Sequence, residues 1–375
     1  MHELPSTVGT QPTRPFVEFL VIINRYLTCE IIKPLLAVCS ILIIIFVSYK
    51  SDRYLADVVE GLLPANTVIS LLFLKVTIAL EVLLPITLYL SVVIGLGRLH
   101  TDSEMTALFA CGVSPNTVLK NVFVFSLLLA ILVGTLSLFV RPWAYEKSYL
   151  ITAQAETNFD FSQIRSGHFY EQQHGNRVVF IDHRNDSKTS NNGVFTLTER
   201  NNVVQAIFAK RAHQETDHVT GEKTIVFVDG HKYTLSRDGS RDRMIRFGTM
   251  TTRLKKKEPK PEYKRKAAPT LQLASSTAPY DVAEFQWRIS TAISTILLGL
   301  LGIPLSQTSP RQGKYAKMLT AVIIFAVYYN LSAIARNWVE QGVIGPIPGI
   351  WWVNTLLACT VVLWFLLSPR EAQLR

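Results

Sequence analysis

Long apolar runs fill both ends of this chain, and between them lies a polar stretch whose hydrophobic positions alternate. A helix needs roughly 17–25 largely apolar residues to cross hydrocarbon. Six stretches meet that length, at about 31–49, 76–97, 118–140, 288–306, 317–336 and 350–367. The second run begins near Thr67, too early for one simple span. Its first part, with Lys75, is expected at the interface, and Pro85 allows a kink. From about residue 164 the period becomes two. "IRSGHFYEQQHGNRVVFIDHR" reads as two strands around His174-Gly175-Asn176. Arg200-Asn201-Asn202, Asp229-Gly230 and Asp238-Gly239 read as later turns.

The pattern predicts an α-helical membrane protein with six transmembrane helices, three on each side of an inserted all-β sandwich or jelly-roll domain. The expected division is an amino-terminal extension at 1–18 and three spans over 19–140, then the β domain at 141–253. A linker at 254–286 and the last three spans at 287–375 follow. The linker "KKKEPKPEYKRKAAPTLQLASSTAP" is basic and rich in proline and small residues, so a flexible, solvated segment is expected.

Charge gives the orientation. Short segments placed inside by a cytoplasmic amino terminus hold Arg14, Arg25, Lys33, Arg98, Lys120, Arg311, Lys314, Lys317, Arg370 and Arg375. Those placed outside hold Lys50, Arg53 and Arg336. The bias puts both termini and residues 98–117 in the cytoplasm, and the β domain outside. Trp143, Trp287, Trp338, Trp351 and Trp352 then fall at outer span ends, as an aromatic belt would. The first 18 residues lack the charged, apolar and cleavage regions of a signal peptide. The net charge of +10 follows largely from inside loops and the linker, and nucleic-acid binding is not needed to explain it.

Between the second and third runs lies "LHTDSEMTALFACGVSP". Thr101 and Glu104 have capping-box spacing, and Met105, Leu108, Phe109 and Gly112 fall at i, i+3, i+4 and i+7. A short amphipathic helix over about 101–112 is expected, stopped by Gly112 and followed by a Ser114-Pro115 start to the next helix.

Candidate chemistry is sparse. The four cysteines, Cys29, Cys39, Cys111 and Cys359, all lie outside the β domain, which therefore has no disulfide framework. His168, His174, His183, His213, His218 and His231 lie within it without tight ligand spacing, and they read as strand and turn residues with no metal. No G-x-x-x-x-G-K-[ST] occurs, so this sequence holds no P-loop; transport driven by ATP would need a separate ATPase. Lys50 and Arg53 are about one helical turn apart at the outer end of the first span. Holding a lipid phosphate and simple snorkelling both fit them. Glu81 is a carboxylate inside an apolar helix, so a structural pair, with Lys75 or with a base on another span, and an intramembrane polar path through Lys75 and Glu81 are both open.

Several segments carry a resemblance. They are "RYL" at 25–27, the run from "LPANTVISLLFLK" to "TDSEMTALFACGVS", "WRIS" at 287–290, "IPLS…SPRQGK" and "PIPGIWWVN". From Asn24 to Leu367 the chain resembles the LptF/LptG permease family of lipopolysaccharide export, and "LHTDSE" and "SPRQGK" look more like the LptF branch. The resemblance implies a non-enzymatic permease of a bacterial inner-membrane ABC exporter that moves lipopolysaccharide through a periplasmic jelly roll for outer-membrane biogenesis. Implied partners are a dimeric LptB-like ATPase, which binds the ATP and Mg, an LptG-like permease, an LptC-like periplasmic acceptor and lipopolysaccharide. Residues 101–112 match the family's coupling helix, with Glu104 as the acidic contact and Met105, Leu108 and Phe109 as the apolar face. Lys50 and Arg53 match positions that contact lipopolysaccharide phosphates. The extension before Phe16 and the basic linker have no counterpart role.

Overall fold

The computed structural model describes residues 14–59, 65–157, 167, 169–172, 177–184, 191–200, 203–216, 223–236, 242–253, 264–307 and 317–367. They form two compact units. The first comprises Met1–Tyr49, Leu72–Ser148 and Tyr263–Arg375, and the second Lys50–Leu71 and Tyr149–Glu262.

The first unit is helical. Helix α1 (Arg14–Val59) and α2 (Ala65–Thr101) are followed by the short α3 (Glu104–Ala110). The next are α4 (Pro115–Thr135), a π-helical turn (Leu136–Val140) and α5 (Arg141–Thr157). After the β region come α6 (Thr270–Ser275), α7 (Pro279–Ser306), α8 (Met318–Glu340) and α9 (Trp351–Leu367). Among the described residues five stretches are long and apolar enough to span a membrane: Val21–Ala56, Thr67–Thr101, Pro115–Gln154, Pro279–Ser306 and Met318–Glu340. The sixth expected span, α9, is apolar but has 17 residues, the short end of the spanning range. Residues 67–75 belong to the same continuous helix as the rest of α2, because nothing between Ala65 and Lys75 breaks it.

Helix α7 is the hub, packed against α4, α6, α8 and α9. Its Gly299 leaves no room for a side chain: a Cβ there would lie 2.1 Å from the Ser126 hydroxyl of α4. At the α1–α2 crossing a Cβ on Gly95 would lie 2.5 Å from the Glu30 carbonyl. Small residues let helix backbones approach where lipid gives no hydrophobic drive for association.

The expected domain border at 141 is displaced. Residues 141–157 continue the third helix, and the first strand starts at Phe169. The reason lies in Pro142. Proline supplies no N–H to the carbonyl four residues before it, Leu138, and the helix absorbs the defect as a π turn instead of ending. The Leu138 carbonyl accepts the Thr270 hydroxyl at 2.6 Å.

Among the described residues the second unit holds one antiparallel sheet of six strands: β1 (Phe169–Gln172), β2 (Arg177–Arg184), β3 (Asn191–Arg200), β4 (Val203–Thr216), β5 (Lys223–Ser236) and β6 (Arg243–Arg253). Among the described residues each strand pairs with its sequence neighbours, an antiparallel meander. Short turns favour that order, since Arg200 pairs with Val203 across two residues. The turns at 174–176, 201–202 and 238–239 lie outside the described residues, as do His168, His174 and His218. Asp229-Gly230 is not a turn but a kink inside β5. Asp229 has φ 56°, and the Phe247 ring of β6 lies where a side chain on Gly230 would go. The kink lets Ala209 and Ala212, three residues apart on β4, share one apolar face with Val179, Ile181, Val194, Ile225 and Phe227.

Candidate coupling helix and buried charge network

Helix α3 starts at Glu104, not at Thr101. Thr101 still belongs to α2, and its hydroxyl donates to the Gly97 carbonyl at 2.9 Å. The residue before α3 is Ser103, at φ 61° with no side-chain cap bond, so the capping box expected from spacing does not form. The α2 end is tight: Asp102 N–H still donates to the Arg98 carbonyl, leaving Thr101 no freedom to cap the next helix. Gly112 at φ 89° ends the turn, and α4 opens at Pro115 as expected.

The apolar face of α3 divides in two. Met105 is fully buried and Leu108 partly so, both in a core with Ile23, Leu27 and Ile31 of α1, Leu96 and Leu99 of α2, and Val118 and Val122 of α4. Met105 anchors the helix and is closed to a partner, while Leu108 packs on the same core and keeps part of its surface exposed. Phe109 is 39% exposed, with Thr106, Ala107 and Ala110 exposed beside it. Glu104 is half-buried, and its carboxylate accepts a hydrogen bond from the Tyr26 hydroxyl of α1. Beside it Arg98 contacts Glu30 at 3.0 Å and Asp102 at 3.4 Å, and Lys33 contacts Glu30 at 2.8 Å.

A second charged cluster lies about 17 residues, or roughly 25 Å of helix rise, back along α2 from Arg98. Glu81 pairs with Arg141 of α5 at 3.1 Å and accepts the Ser137 hydroxyl at 3.0 Å. Its partner is therefore a third-span base and not Lys75, which sits 5.6 Å from the centre of the Tyr145 ring. Arg141 also contacts Glu284 of α7 at 3.1 Å. Glu284 receives Arg288 at 3.2 Å, one turn on, and Arg336 of α8 at 2.7 Å. Arg336 continues to Glu340 and lies 5.0 Å over the Trp287 ring, and Glu340 also receives Arg265. A buried charge is costly unless paired, and each of these three carboxylates and four guanidinium groups meets at least one opposite charge.

Arg288 is fully buried and fastens part of the expected linker. It donates to the carbonyls of Arg265, Lys266 and Ala268 and to the Thr270 hydroxyl, which passes its own hydrogen to Leu138. Residues 265–270 of the expected linker are thus bonded to the helical unit, while 254–263 lie outside the described residues. Lys266, half-buried beside Arg336 and Arg141, has its ammonium pushed below the usual lysine range, chiefly by loss of water.

Next to Glu81 is a small cleft lined by Val82, Pro85, Ser294, Leu298, Phe325 and Tyr329. Lys50 and Arg53 lie in the last turns of α1, Lys50 half-buried and Arg53 exposed. Among the described residues no three His, Cys, Asp or Glu side chains converge as a metal site.

Comparison with known proteins decides the family. The model for the lipopolysaccharide export system permease LptF/LptG matches residues 25–367. The chain belongs to the LptF/LptG permease family. The proteins named lipopolysaccharide export system permease protein LptF from Escherichia coli K12 and from Shigella flexneri are each 27% identical over 350 residues. Those alignments cover 91% of this chain and 94% of each relative. The resemblance noted from "RYL", the α3 loop and "WRIS" is thereby borne out, including its lean toward LptF. The chain is an integral membrane protein of a permease family, with its apolar helices and antiparallel sheet as the family reading expects.

The sequence reading missed Tyr26 as the partner of Glu104 and, separately, Arg141, Glu284, Arg288, Arg336 and Glu340 as a connected set. The i,i+4 pair Glu284–Arg288 at the head of a span was a usable signal.

Proposed function

We propose that this LptF-type permease is the transmembrane subunit of an exporter whose ATP is bound by a separate, LptB-like ATPase dimer. Helix α3 is the docking element: Met105 and Leu108 hold it to the bundle, while Glu104 and Phe109 meet the ATPase. A second, LptG-like permease completes the membrane part, and the β domain delivers lipopolysaccharide to an LptC-like acceptor on the periplasmic side of the inner membrane. Lys50 and Arg53 recognise the phosphates of the incoming lipid. Each acyl methylene buried in the bilayer contributes about 0.8 kcal/mol, so extraction is uphill and needs ATP.

The observation that carries this reading is the division of α3 into a buried anchor and an exposed Phe109, with the half-buried Glu104 opening the helix. A helix merely resting on lipid has no reason to turn its two longest aliphatic side chains into its own protein.

The test is mild-detergent purification of the tagged chain from its own membranes, with identification of co-purifying chains and assay of ATP hydrolysis. An ATPase and a second permease are expected. A lone chain without hydrolysis overturns the reading. Lys50→Glu with Arg53→Glu is expected to lower lipopolysaccharide crosslinking near α1; wild-type yields would return these residues to snorkelling.

A further inference from the structure

The geometry points to Tyr26 as the residue that positions Glu104 for a cationic partner, an inference that rests on the docking role proposed for α3. Helix α3 has seven residues and no side-chain cap, so its own first turn does little to fix the Glu104 side chain. The fixing contact comes from α1, seventy-eight residues earlier, where the Tyr26 hydroxyl donates to Oε2 of Glu104. Arg98 is close by, but its guanidinium is committed to Glu30 and Asp102.

The chemistry of the donor matters. An arginine or lysine in place of Tyr26 would neutralise the carboxylate. A phenol is neutral, so it sets the carboxylate's direction and leaves the full negative charge. An ionised carboxylate has about four acceptor positions, and one hydroxyl fills one of them. The remainder stay open to an incoming guanidinium, whose fork demands a fixed carboxylate plane. Tyr26 is 37% exposed, which leaves the site accessible from solvent. The same core that buries Met105 also buries Ile23 and Leu27 on either side of Tyr26, so the hydroxyl and the helix it aims share one rigid support.

A double-mutant cycle tests this in the full chain in mild detergent. The probe is the ATPase that co-purifies with the wild type, and the readout is its binding affinity for Tyr26→Phe, Glu104→Gln and the pair. Tyr26→Phe keeps the ring and removes only the donor. We expect a loss of about 3- to 10-fold for Tyr26→Phe, the net worth of an ordinary intramolecular hydrogen bond. In the Glu104→Gln background the same change is expected to cost nothing further, an interaction a purely packing role would not produce. A silent Tyr26→Phe beside a weakened Glu104→Gln overturns the positioning role and leaves docking intact. Equal losses in both backgrounds also overturn it, since Tyr26 would then act through packing. Silence of both variants, or no ATPase with the wild type, overturns the docking reading and this inference together.

Discussion

Arg141 meets Glu81 at 3.1 Å inside the helical unit, with 5% and 3% of their side chains exposed. Removing one member of a buried ion pair leaves a charge without its partner, at a cost of about 3–5 kcal/mol. Arg141 keeps Glu284 when Glu81 is lost, so Glu81→Ala is expected to destabilise at the lower end, about 3 kcal/mol. Replacing both members, as Glu81→Leu with Arg141→Met, should cost less than the sum of the singles. Tryptophan-monitored unfolding in detergent checks the cycle, and strict additivity would show that the two residues do not act as a pair.

Arg288 provides the next prediction. Its guanidinium satisfies three backbone carbonyls and Glu284 at once, and no other side chain among the described residues takes so many. Arg288→Met keeps length and removes every donor. Protease or hydrogen-exchange sensitivity at 264–278 is expected to rise about tenfold or more, matching a local loss of roughly 1.4 kcal/mol or greater. Unchanged protection would mean that the segment is held by other contacts.

The sheet carries a pH prediction. The Lys210 ammonium, 2.6 Å from Asp229, holds that carboxyl below the usual carboxylate range. A lowered folded-state pKa adds stability that is present above the unfolded value and is lost as pH falls through the folded value. Both groups are largely exposed, so the effect is small and screened by salt. Asp229→Asn keeps a residue suited to φ 56° while removing the charge. Thermal unfolding of the variant should lose this acid-dependent component, and an unchanged pH profile would show that the pair contributes nothing.

Much of this arrangement is legible in the sequence, for identifiable reasons. Apolar length marks five of the spans because hydrocarbon imposes it, and Pro115 and Gly112 mark their boundaries through backbone chemistry. What stays hidden depends on contacts distant in sequence. The third span is expected to end at 140, just before Pro142, yet a π turn carries the helix past it and the Leu138 carbonyl accepts the Thr270 hydroxyl. Asp229-Gly230 reads as a turn, yet Phe247 packing on the glycine keeps the strand going. Glu81 announces a partner without naming it, since Arg141 lay in a segment read as β domain. Periodicity grouped Met105, Leu108 and Phe109 on one apolar face, but it cannot say which of them the fold itself consumes.

That division gives the last prediction. Met105 is 1% exposed among α1, α2 and α4 side chains, whereas Phe109 is 39% exposed one turn further on. Met105→Ala should therefore cost folding stability, about 2–4 kcal/mol for a buried methionine. Phe109→Ala should leave the unfolding midpoint in place and weaken ATPase recruitment by about 1–2 kcal/mol, roughly 5- to 30-fold, as expected when an exposed aromatic anchor is truncated. The two measurements separate anchor from contact. A midpoint lowered by Phe109→Ala, with ATPase binding unchanged, would place Phe109 with Met105 as a packing residue and move the partner surface to Thr106, Ala107 and Ala110.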